Sequence, residues 1–259
     1  MTHWQIDPII FAIGPVAVRW YGMMYLLSFI GAYFMMVHVS RLRRYPQPRE
    51  TVADLLFYAV IGVVAGGRLG YTLFYNPSYY LRHPLEILYV WEGGMSFHGG
   101  LIGVVLVLLW FALKRGIPLL QLGDLTVAAV PIGLGLGRIG NFINGELWGR
   151  PTDLPWGVIF PAGGPVPRHP SQLYEAGLEG LVLLLLIYLL HRLDVRRGIP
   201  TFTFLLGYGC FRFLVEFVRE PDSHLGFLWG GATMGQLLSL PMILAGGAGL
   251  VWLLRRPRT

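Results

Sequence analysis

The chain has 259 residues, of which 54% are hydrophobic and only 13% charged, against about 25% charged in soluble domains. That balance excludes an ordinary soluble domain and reads as an integral membrane protein. The net charge of +6 raises nucleic acid as a partner, but the placement of the basic residues explains the charge through membrane topology instead.

Apolar runs of the roughly 20 residues that a helix needs to cross a bilayer fall near 15–37, 52–75, 95–113, 121–142, 173–190, 200–218 and 233–254. The sequence therefore predicts an all-α integral membrane protein with seven transmembrane helices, a single polytopic domain over 1–259. No basic region precedes a short apolar core at the N-terminus, so the first span is expected to direct insertion itself. The second span carries Gly62, Gly66 and Gly70 at four-residue intervals, and the fourth carries Gly133 and Gly137. Such small residues let helix backbones approach closely. After the fourth span, residues 145–170 are rich in proline and glycine and read as a small external head loop. Its Trp148 and Trp156 suit the aromatic belt at the membrane interface. The single Cys210 offers no disulfide and no paired thiols, so no redox chemistry is indicated.

Lysine and arginine collect on the cytoplasmic side of membrane proteins. One set of loops holds Arg41, Arg43, Arg44, Arg49, Lys114, Arg115, Arg192, Arg196, Arg197, Arg255, Arg256 and Arg258, twelve in all. The opposite set holds four, Arg82, Arg150, Arg168 and Arg219. This places the C-terminus in the cytoplasm, the N-terminus outside, and the 145–170 loop outside.

The stretch Gly137 to Arg150, GRIGNFINGELWGR, sets Arg138, Asn141, Asn144 and Glu146 directly after an apolar helix pattern. An arginine near a bilayer centre costs about 2.5–3.5 kcal/mol on insertion scales, which makes it a functional candidate. At about 1.5 Å rise per residue, Arg68, Arg138 and Arg212 lie roughly 24, 22 and 18 Å above the cytoplasmic ends of their helices. Three guanidiniums at one level suit an anion, because the planar fork binds phosphate bidentately and stays charged. Each arginine alternatively pairs with a nearby carboxylate such as Glu146 or Glu216. In the sixth span Tyr208, Arg212, Glu216 and Arg219 share one helix face, with Cys210 off it.

These blocks together resemble one family, the prolipoprotein diacylglyceryl transferases of bacterial inner membranes. Gly137–Gly149, GRIGNFINGELWG, matches the family's signature without a mismatch. Further similar blocks are WYG at 20–22, GGRLGY at 66–71, GGMSFHGGLIG at 93–103, RHPSQLYE at 168–175 and YGCFRFLVEFVREPD at 208–222. The resemblance implies transfer of the diacylglyceryl group of phosphatidylglycerol to the lipobox cysteine of a preprolipoprotein signal peptide. Glycerol phosphate would leave, in the periplasmic leaflet of the bilayer. It also implies site roles for Tyr21, His98, Arg138, Asn141, Glu146, Gly149, Tyr208, Arg212 and Glu216. His98, at the outer start of the third span, is the candidate base for the incoming thiol. Arg138 and Arg212 would stabilise the departing phosphate electrostatically, with no metal or cofactor, and Arg68 would add to the phosphate site. Glu146 and Glu216 alternatively only orient the arginines, Asn141 caps the fourth helix, and Gly149 permits a tight turn or close approach. The rival class is a transporter or channel for an anionic solute, which usually shows paired broken helices in two repeated halves; no such repeat is visible here.

Overall fold

A computed structural model describes residues 6–14, 16–43, 47–221 and 228–256. Arg44, Asp222, Arg258 and Thr259, which entered the charge count, the motifs or the termini above, lie outside them. The chain forms two compact units, one of Met1–Tyr45 with Asp124–Thr259 and one of Pro46–Gly123.

The larger unit begins with an antiparallel hairpin of β1 (Ile9–Ile13) and β2 (Val16–Arg19), leading into α1 (Trp20–Leu42). The first span therefore starts at Trp20 rather than near residue 15, since residues 16–19 pair with β1 as an extended strand. The smaller unit holds α2 (Arg49–Phe74), the short α3 (Pro77–Arg82) and α4 (Phe97–Arg115). There follow α5 (Leu119–Val127), α6 (Val130–Asn144), α7 (Ser171–Glu175), α8 (Leu183–Arg192), α9 (Ile199–Val215) and α10 (Met234–Arg255). A π-helical turn, Ala176–Val182, joins α7 to α8.

Among the described residues six helical stretches are long and apolar enough to cross a membrane, with α5–α6 and α7–α8 each counting as one. The seventh expected span is α9, a shorter apolar helix of 17 residues. At about 1.5 Å per residue that is some 25 Å, slightly less than a hydrocarbon core of about 30 Å.

In the smaller unit α2 and α4 pack through glycine, as the four-residue spacing implies. A Cβ on Gly66 would run into the carbonyl oxygen of Gly99, and one on Gly103 into that of Gly62. In α6 the expected pair is not the one in contact. Gly133 and Gly137 face open space, and Gly135 instead meets Gly180 of the π turn, where an added Cβ on Gly180 would lie 2.6 Å from the Gly135 Cα. The residue that touches is set by the angle at which the two helices cross, which a spacing pattern on one helix does not contain.

The start of α9 is fixed from within the larger unit. Asp124, 1% exposed, accepts hydrogen bonds from the Gly198 amide (2.8 Å), the Thr201 amide (3.1 Å) and the Thr201 hydroxyl (2.7 Å). Arg43 pairs with the same carboxylate at 3.5 Å. The orphan amides of a helix N-terminus need such acceptors, and this one anchors the helix that carries Arg212.

Candidate active site: two arginines on one carboxylate

The site is assembled in the larger unit from the end of α6, the head loop, α7 and the end of α9. Helix α6 stops because Gly145 adopts the left-handed conformation (φ +65°), which suits a residue without a Cβ. The turn carries Glu146 back over the last helical residues. There its Oε1 accepts from Asn141 Nδ2 (2.8 Å) and Asn144 Nδ2 (3.4 Å), while Gln172 Nε2 donates to the Glu146 carbonyl (2.6 Å). Asn141 Oδ1 in turn accepts from Arg138 Nη1 at 3.4 Å. Asn141 thus links Glu146 to Arg138. Tyr21 packs beside this end of α6, with a ring carbon 3.0 Å from where a Gly140 Cβ would stand. Its hydroxyl lies 3.3 Å from that of Tyr25.

Arg138 and Arg212 converge on a residue that the sequence reading did not single out. Glu175, the last residue of α7 and 0% exposed, accepts from Arg138 Nε (2.6 Å) and Arg212 Nη1 (2.8 Å) through the same oxygen, Oε2. Charge-assisted bonds of this length are among the stronger ones in proteins. Arg212 Nη2 also pairs with Glu216 Oε1 at 2.5 Å. Glu216 is held on its other oxygen by the Thr233 hydroxyl (2.6 Å) and faces Arg219 Nη1 at 3.6 Å. The stripe Tyr208, Arg212, Glu216, Arg219 therefore acts as one face, with Tyr208 stacked on Phe204 one turn before Arg212. Burial, followed by the charge of Arg212, holds Arg219 below the usual arginine pKa. Arg138 and Arg212 keep 18% and 14% of their side-chain surface exposed.

The head loop is tied to the end of α9 by backbone pairing. Gly149 donates to the His169 carbonyl and Arg150 to that of Val218, both at 2.8 Å. A Cβ on Gly149 would stand 2.5 Å from the Val218 oxygen and 2.6 Å from the His169 Cβ, so close backbone approach accounts for this glycine. Arg150 fastens the join by donating to the carbonyls of Arg219 (2.9 Å) and Glu216 (3.2 Å). His169 Nδ1 meets the Tyr174 hydroxyl at 3.3 Å, and Trp156 Nε1 donates to that hydroxyl at 2.7 Å. Burial lowers the His169 pKa.

Two expected site residues lie in the smaller unit. His98 is exposed in the first turn of α4, which Ser96 caps by accepting from the Gly99 amide. Arg68, 4% exposed, makes four donor contacts to backbone carbonyls of that unit. Its guanidinium donates to the carbonyls of Ile87 (2.9 Å), Gly93 (2.5 Å), Gly94 (3.3 Å) and Glu86 (2.6 Å). Those bonds hold the segment between α3 and α4 against α2. The carbonyls come from a 3-10 turn, Pro84–Leu88, and the Gly93–Gly94 loop, neither of which points to Arg68 in the sequence.

The fold and site define a polytopic helical membrane protein in which two half-buried arginines, on separate helices, share one carboxylate. The model of the family described as prolipoprotein diacylglyceryl transferase matches residues 8–252. A phosphatidylglycerol–prolipoprotein diacylglyceryl transferase of Bordetella avium is 57% identical over 244 residues, covering 93% of this chain and 92% of that protein. One of the same name from Geobacter sulfurreducens is 57% identical over 242 residues, 93% of each chain. Another, from Pseudoalteromonas atlantica, is 55% identical over 259 residues, 98% of this chain and 92% of that one. The chain belongs to the prolipoprotein diacylglyceryl transferase family.

Proposed function

We propose that the protein moves the diacylglyceryl group of phosphatidylglycerol onto the lipobox cysteine thiol of a preprolipoprotein, the first step of bacterial lipoprotein maturation. A carbon–sulfur bond forms, and the carbon–oxygen bond to the phosphate breaks. The thiol proton passes to a base, and glycerol phosphate leaves with the electron pair. The observation that carries this reading is the convergence of Arg138 and Arg212 on one Glu175 oxygen at 2.6 and 2.8 Å. Two guanidiniums locked side by side, on side chains that are only partly buried, suit a lipid phosphate and the second charge that develops on it as it departs. Glu146, Asn141 and Glu216 act by holding those arginines, with Tyr21 beside the end of α6 and Tyr208 one turn before Arg212 on α9. His98 is the proposed base: a thiol with pKa near 8.5 is mostly protonated at neutral pH and gains from a positioned acceptor. The nucleophile arrives with the substrate, so no cysteine of the enzyme is required.

The charge asymmetry of the loops supports an inner-membrane protein with a periplasmic N-terminus, a cytoplasmic C-terminus and a site toward the periplasmic leaflet. Purified protein incubated with phosphatidylglycerol and a lipobox peptide tests the reading. The peptide should gain one diacylglyceryl group for each glycerol phosphate released. Accumulation of an anion inside proteoliposomes, with the peptide unmodified, would overturn it in favour of transport.

A further inference from the structure

Glu179 is a buried acid that the arrangement above leaves unused. It is 0% exposed, and neither of its carboxylate oxygens has a hydrogen-bond partner among the described residues. A buried carboxylate without donors is costly, and such an exception calls for a reason. Its setting supplies one. Glu179 lies one turn beyond Glu175, on the same face, within the π-helical turn Ala176–Val182. Turns of this kind are rare and recur at functional sites. The charged and titratable groups facing it are Arg138 from α6, Glu175 from α7, Tyr208 and Arg212 from α9, and Arg219 just beyond α9.

The charges in this buried cluster balance. Arg138, Arg212 and Arg219 stand against Glu175, Glu179 and Glu216. A phosphodiester arriving at the arginines adds a negative charge where uncompensated charge is poorly tolerated. A proton restores the balance. Glu175 and Glu216 each hold an arginine through a short ion pair, so protonating either would break a bond that orients the site. Protonating Glu179 breaks none. We propose that Glu179 takes up one proton when an anionic lipid phosphate binds Arg138 and Arg212, so that substrate capture is proton-coupled and Glu179 governs its pH dependence. The proton comes from water and adds to a carboxylate oxygen; Glu179 makes no bond to the lipid and is a charge-balancing residue. The inference rests on the phosphate site proposed above.

Short-chain phosphatidylglycerol titrated calorimetrically into the purified full chain, in two buffers of different ionisation enthalpy, counts the protons bound. Wild-type protein should take up close to one proton per lipid. Its affinity should then fall by up to about tenfold per pH unit as the pH rises through the coupled range. Glu179→Gln, which imitates the protonated side chain, should bind at least as tightly, with no proton uptake and a flattened pH profile. His98→Asn should keep the wild-type count. Lipid binding by the wild type without proton uptake overturns the proposal, as does an unchanged count in Glu179→Gln. The wild-type measurement stands even where that variant fails to fold. Equal lipid affinity of wild type and Arg138→Gln would instead refute the phosphate site itself.

Discussion

Replacing Glu175 by glutamine removes the charge on which both site arginines are built while leaving the side-chain shape almost unchanged. The carboxylate receives two N–H donors, at 2.6 and 2.8 Å, on a side chain that is 0% exposed. Hydrogen bonds to charged groups contribute about 1.5–3 kcal/mol each, and the glutamine oxygen can keep one weaker bond of about 1 kcal/mol. Its NH2 group takes the place of Oε1, which has no hydrogen-bond partner among the described residues, and finds no acceptor. Breaking a fully buried pair by removing one partner costs about 3–5 kcal/mol; here the arginines keep some solvent contact and Arg212 keeps Glu216, so about 2–4 kcal/mol is expected. For a chain of this size that lowers the thermal midpoint by about 5–15 °C. Transfer should fall by about a hundredfold, since a displacement of about 1 Å in a positioning group has that effect. Glu175→Asp retains the charge on a shorter stem that cannot reach both donors, and should fall between wild type and glutamine in both measurements. Thermal unfolding in detergent and transfer to a lipobox peptide are the assays. If Glu175→Gln melts within about 2 °C of the parent and turns over within about threefold of it, the shared carboxylate is not what sets the arginine pair.

Four further outcomes follow from the same geometry. Arg138→Lys keeps a charge but cannot contact Glu175 and Asn141 at once, so transfer should drop by about a hundredfold or more; near-normal turnover by the folded variant would make this arginine structural. His98→Asn should retain lipid binding while transfer falls by about a hundred- to ten-thousandfold. The deficit should be smaller at pH 9 than at pH 7, because the thiol ionises unaided above about 8.5; equal impairment at both pH values with lost lipid binding would rule out the base assignment. Arg68→Gln should destabilise the smaller unit by at least about 2 kcal/mol and open residues 84–94 to protease, with lipid affinity intact; loss of affinity in a stable variant would return Arg68 to the phosphate site. Burial holds His169 below the ordinary histidine value, so the unfolded chain binds the proton first, near pH 6.5. The contribution of the neutral ring to stability is complete above that pH and lost as pH falls toward the folded pKa. His169→Gln should therefore lose less stability on acidification, and a stability–pH curve identical to the parent's would dismiss the histidine as a source of acid sensitivity.

The sequence by itself determined the membrane-helix architecture, because an apolar run of about 20 residues has few alternatives to a spanning helix. It also marked Arg138 and Arg212, since a guanidinium in an apolar run is costly enough to be conspicuous. The tertiary structure decided what those arginines hold. Glu175 stands at one end of a span, and its pairing reaches 37 residues back to Arg138 and 37 forward to Arg212. Arg68 lies at a depth similar to the other two but without a polar cluster around it; only folding shows it donating to four backbone carbonyls. The glycines divide the same way. Gly62, Gly66 and Gly70 lie in a helix contact as their spacing implies, whereas in α6 the contact falls on Gly135 and leaves Gly133 and Gly137 open. The hairpin of Ile9–Arg19 likewise took residues from the predicted first span. Local pattern reports the cost of placing a residue in lipid, and that cost is set by the residue and its near neighbours. Which partner removes the cost depends on the crossing of helices distant in sequence, and only the packed structure contains it.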